Sequence, residues 1–132
     1  MKVQKSKKVQ ANRDRKMADI RHSALEIILE QGLEGLSMHE LARRRGVTVG
    51  ALYRYYPSKQ ALVINLEYEC LEQMRAALAT VRFDDLDRSE HPIYALKSFQ
   101  RIAEKYLTAL VENPAHGRLI SGILATPTSV VL

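Results

Sequence analysis

From Met17 onward, large apolar residues return every three to four positions, and the rhythm stops wherever a glycine, a proline or an acidic cluster falls. Met17, Ile20, Ala24, Ile27 and Ile28 lie on one face of a first helix, which Gly32 is expected to stop as a left-handed cap. Ser37 followed by Glu40 reads as a capping box, and the flanking Leu36 and Leu41 supply a hydrophobic staple, so a second helix is expected over 38–45. Gly46 ends it. Thr48 then caps a third helix over 49–55, which Pro57 terminates because a proline disfavours helical geometry in the residue before it. Ser58 caps a fourth, where Leu62, Leu66, Cys70, Met74 and Leu78 recur at four-residue spacing and Val63, Leu71 and Val81 widen the stripe.

The acidic loop 83–91 closes that helix. Pro92 suits the first turn of a fifth, whose apolar face reads Leu96, Phe99, Ala103, Tyr106 and Leu110. Asn113 and Pro114 break it, residues 115–125 add a short sixth, and the tail 126–132 has no period. No stretch alternates with period two for long enough to build a sheet. The expected fold class is all-α: a three-helix bundle containing a helix-turn-helix, then a long connecting helix and a short, incomplete helical C-terminal part.

Charge divides the chain unevenly. The formal net charge is +5, but residues 1–60 hold 13 Lys and Arg against 6 Asp and Glu, a net +7, while residues 61–132 hold 7 against 9, a net −2. The front half is the one suited to a polyanion. Residues 1–16, with seven Lys or Arg and a single Asp, read as a flexible basic arm, ordered only on a partner. The expected organisation is therefore an arm at 1–16, a binding domain at 17–60 and a partial regulatory or dimerisation domain at 61–132. One cysteine excludes an internal disulfide framework, and no apolar run approaches the length of a membrane span or a secretory signal. These features suggest a soluble, cytoplasmic protein.

Two short helices joined by a glycine turn make a helix-turn-helix, and the second is short enough to enter end-on a major groove roughly 12 Å wide. Spacing directs Leu52 and Tyr56 inward with Leu41 and Val47, and puts Val49 and Tyr53 on another face. Gly50 and Ala51 let the backbone approach base edges, Val49 and the Ala51 methyl suit thymine methyls, and the Thr48 hydroxyl suits a phosphate or a base. Tyr53, Arg54 and Lys59 are placed to reach phosphates, Lys59 beside a helix N-terminus that already favours anions. Arg44 and Arg45 are further phosphate candidates, against the alternative that the run Arg43 to Arg45 is a solvated helix end offsetting the helix dipole.

The run from Ile20 to Leu62, above all GVTVGALYRYYPSKQAL (46–62), resembles the N-terminal DNA-binding domain of the TetR family of transcriptional regulators, whose pattern is roughly G-V-S-x-G-x-L-Y-x-H-F-x-S-K-x-x-L. It departs at Thr48, Tyr55 and Tyr56, which stand for Ser, His and Phe. The resemblance implies that Ser37 and Met38 begin a helix lying across the DNA backbone, that Thr48, Val49, Gly50 and Ala51 face bases, and that Tyr53, Tyr55 and Lys59 sit at phosphates. It further implies a repressor that binds double-stranded DNA as a homodimer and releases it when a small-molecule effector enters the C-terminal domain. Neither cofactor nor membrane association is expected.

Signs of catalysis are weak. His22, His39, His91 and His116 have no partner at metal-ligand spacing, the acids at 84–87 lack the glycine and final glutamate of a calcium loop, and Gly117 to Gly122 lacks the Lys and Ser or Thr of a phosphate loop. Cys70 lies on an apolar face and reads as inert core. Neither an enzyme nor a metal site is expected. The competing reading is a helical adaptor whose basic front half meets an acidic protein or an anionic membrane surface.

Overall fold

A computed structural model describes residues 2–81 and 92–125, and every element among them is a helix: α1 (Lys2–Gly35), α2 (Met38–Arg45), α3 (Val49–Tyr53), α4 (Lys59–Ala79), α5 (Pro92–Glu112) and α6 (Pro114–Ala125). The acidic loop and the C-terminal tail lie outside the described residues. Gly32 does interrupt α1, with φ 75° and ψ 176°, a region that only glycine occupies readily. The chain resumes one helical turn before α2.

Local chemistry explains the short helices. Ser37 Oγ accepts from Glu40 N at 3.1 Å, Thr48 Oγ1 from Ala51 N at 3.2 Å, and Ser58 Oγ from Ala61 N at 3.0 Å, so each of α2, α3 and α4 starts on its own hydroxyl cap. Behind α2, Gly46 is left-handed (φ 61°, ψ 34°), its N–H donating to Arg43 O and that of Val47 to Ala42 O, the paired bonds of a Schellman turn. The α2 boundaries match the expected 38–45. Helix α3 is shorter than expected: it ends at Tyr53, after which the N–H groups of Tyr55 and Tyr56 both donate to Leu52 O.

The core is one cluster. Ile20, Ala24, Ile27 and Ile28 of α1 meet Leu36, Met38 and Leu41, then Leu52, Tyr56, Leu62, Leu66 and Cys70. Leu119 of α6 completes it, because α6 folds back onto α1 closely enough that a Cβ at Gly122 would stand 3.3 Å from the Leu33 side chain. The core therefore crosses the domain boundary expected at residue 60.

Three expectations need correcting. Residues 2–16 continue α1 as helix instead of forming an irregular arm; they contain no glycine or proline and are rich in Lys, Arg and Gln, which favour helix. Val47 is not core but 42% exposed, since the Schellman turn commits its backbone and directs its side chain outward. The apolar stripes of the later helices are only partly used: Leu71 is exposed, as are Leu96 and Phe99 on α5 at 65% and 69%. Nothing among the described residues covers that α5 face.

Candidate nucleic-acid interface

Helix α3 is held from behind. Leu52 is buried in the core, and the Tyr56 hydroxyl accepts from Arg21 at 3.1 Å and lies 3.2 Å from Asn65 Oδ1. Arg21 also donates to Glu69 at 2.7 Å, so one guanidinium ties α1, the segment after α3 and α4 together. Tyr56 is thus core, as its spacing suggested. The clamp joins residues up to 48 positions apart, a pairing for which the sequence carries no local signal.

What α3 presents outward is small at its start and polar beyond. Thr48 and Gly50 are exposed, Ala51 and Val49 half-buried, Tyr53 47% exposed and Arg54 exposed. The Thr48 oxygen is used as a cap acceptor, which leaves its proton free to be donated. A Cβ at Gly50 would meet nothing within 4 Å. Lys59, the first residue of α4, is exposed next to the Ser58 cap. Neither Arg54 nor Lys59 has a carboxylate within ion-pair distance among the described residues, so both charges face solvent.

Other candidates sit elsewhere. Met38 is buried in the core, leaving only its backbone at the start of α2, where the half-buried Ser37 accepts in the cap and, like Thr48, keeps its proton free to be donated. Arg44 and Arg45 turn toward α1 while Arg43 stays exposed: Arg43 and Arg44 both donate to Glu40 at 2.8 Å, Arg44 also to Glu30 at 2.5 Å, and Arg45 to Asp19 O and Ser23 Oγ at 3.0 and 3.1 Å. These bonds hold Glu40 well below the usual carboxylate range, at about 2, and divert it from the reciprocal half of the capping box. Arg44 and Arg45 are therefore engaged in fastening α2 to α1. Tyr55 is half-buried, and the Arg13 guanidinium lies 5.5 Å from its ring centroid while donating to Arg54 O at 3.3 Å. Arg13 was missed because residues 2–16 were not expected to reach α3.

A short capped helix, a left-handed glycine turn and a second short helix with an open, cationic outer face define a helix-turn-helix module. Residues 20–66 match the family model described as bacterial regulatory proteins, tetR family. Among curated proteins, the chain is 39% identical over 75 residues to the HTH-type transcriptional repressor KstR of Mycolicibacterium smegmatis, an alignment covering 53% of this chain and 36% of that protein. It is 29% identical over 93 residues to the nucleoid occlusion factor SlmA of Glaesserella parasuis serovar 5, covering 70% of this chain and 42% of that protein. The chain thus spans less than half the length of these relatives. No solved structure matches it. Among the described residues, no helix is long and apolar enough to cross a membrane.

Proposed function

We propose that this chain is a sequence-specific, double-stranded-DNA-binding transcriptional regulator of repressor type, reading bases with the N-terminal face of α3. The observation that carries the reading is Gly50. It has helical backbone geometry, open space around it and no packing demand from the chain, yet glycine costs a helix about 1 kcal/mol relative to alanine. A requirement for smallness that nothing inside the chain imposes points to a surface outside it, and close approach to base edges is such a requirement. Thr48, Val49 and Ala51 share that face, while Tyr53, Arg54 and Lys59 supply phosphate partners beside it.

The tetR match and the repressor among the relatives support the same reading. A homodimer on an inverted repeat belongs to it, as does release by a small effector. For the effector, the cavity between α4, α5 and α6, lined by Cys70, Met74, Leu110 and His116 among others, measures about 170 Å³. That is below the roughly 300–1,000 Å³ of sites for drug-sized ligands, so an effector held by these residues alone would be small.

Selection of bound sequences from a random duplex pool at near-physiological salt tests the reading, because counterion competition weakens purely electrostatic binding there. An inverted repeat supports a dimer reading two half-sites; recovery of no motif by the wild type sinks the proposal. Gly50→Leu should retain the fold and lose the selected motif.

A further inference from the structure

N-terminal to Arg13, the first turns of α1 touch nothing in the rest of the fold that would account for their composition. Residues 3–16 are exposed throughout, and Arg13 is the anchor, its guanidinium bonded to Arg54 O and set against the Tyr55 ring. Helix α1 begins eleven residues before Arg13, at Lys2, and at about 1.5 Å per residue that segment projects roughly 16 Å beyond the end of α3. On a helical projection Lys5, Lys8, Arg13, Arg15 and Lys16 fall within an arc of about 160°, and Lys7 and Asp14 lie opposite. Arg13 stands at one edge of that arc and Arg15 at the other, so the cationic side begins at the end of α3 and turns from there about the projecting helix.

We infer that the first four turns of α1 are a second nucleic-acid contact, a cationic strut that lies against the phosphates of duplex flanking the bases read by α3. This inference rests on the DNA-binding reading above. A reach of roughly 16 Å corresponds to about five base pairs of duplex. The like charges on one side repel one another at helical spacing, and an adjacent row of phosphates relieves that repulsion. An anionic membrane surface fits less well. An interfacial helix needs a broad apolar face, whereas the large apolar residues here, Val3 and Val9, stand about 120° apart with no Leu, Phe or Trp between them.

The test uses the full chain and a triple variant, Lys5→Gln, Lys8→Gln and Arg15→Gln, whose side chains are exposed and remote from the core. Affinity is measured by fluorescence anisotropy across a salt series, on the selected duplex with ten flanking base pairs and on the same duplex trimmed to its motif. On the flanked duplex, the slope of log affinity against log salt should become shallower by about 0.9 for each phosphate that the variant leaves unneutralised, with binding at least ten-fold weaker and the selected motif unchanged. On the trimmed duplex the two proteins should bind alike. Equal slopes and affinities on the flanked duplex would overturn the inference. So would strong wild-type binding to vesicles of phosphatidylcholine and phosphatidylserine that the triple variant loses while its DNA binding stays intact. A wild type that selects no motif, binds all duplexes and loses that binding in the triple variant would instead sink the α3 reading and leave the strut as the DNA contact.

Discussion

The two ends of this molecule use amphipathic helices to opposite effect. Around α2 and α3, nearly every large apolar residue that shares a face with its neighbours is buried, and the polar residues left outside form a coherent surface. On α5, a helix with an apolar face just as regular, Leu96, Phe99 and Leu107 remain more than half exposed. Amphipathic periodicity states that a helix has a face to bury, but a second surface must arrive to bury it. For α2 and α3, α1 and α4 are that surface.

This contrast should be plain in denaturant titrations. Leu41→Ala, in the buried cluster, should cost about 2–5 kcal/mol, whereas Leu96→Ala should stay within about 0.5 kcal/mol. A Leu96 effect comparable to that of Leu41 would mean that the α5 face is covered in solution. Leu119→Ala sharpens the comparison: a destabilisation of about 2–5 kcal/mol places α6 with the front core, and a negligible one detaches it.

Arg21→Ala should be the next largest effect, about 1–3 kcal/mol, because it leaves Tyr56, Asn65 and Glu69 without a shared donor. It should also loosen α3 and weaken duplex binding more than the destabilisation alone explains, read by anisotropy at a temperature where the variant is fully folded. Gly50→Ala should act in the other direction on the fold, stabilising α3 by up to about 1 kcal/mol while lowering affinity for the selected duplex. Gains in both would mean that Gly50 is not kept small for a base edge.

The smallest effect expected is one of pH. Burial pushes the His116 imidazole below its usual 6.5, although Glu69 pulls the other way, so the folded chain holds this ring neutral where the unfolded chain begins to protonate it. Stability should therefore fall as pH drops below about 6.5, and the fall should level off once the folded form protonates as well. Replacing His116 with Gln should flatten the difference in denaturation midpoint between pH 7 and pH 5.5. An unchanged slope would show that other groups carry it.

The features already readable in the amino-acid order were those decided within a few residues. Ser37, Thr48 and Ser58 cap the helices they precede because a hydroxyl and an amide three residues on are always within reach in that geometry, and Gly46 ends α2 because a left-handed turn there costs glycine little. The inward set Ile20, Ala24, Ile27, Leu41, Leu52, Tyr56 and Leu62 was legible from period alone, and so was the small, polar outer face of α3. Tertiary structure decided the rest. Arginines at 44 and 45 have the same chemistry whether they face phosphate or carboxylate, and only the passage of α1 beside α2 brings Glu30, Asp19 and Ser23 within reach. Likewise, Met38 and Val47 are both apolar at the edges of α2, but the fold packs one against the core and turns the other to solvent. A cap is satisfied by its own neighbours along the chain, whereas burial and ion pairing depend on which distant segment comes alongside, and that is set only when the helices pack.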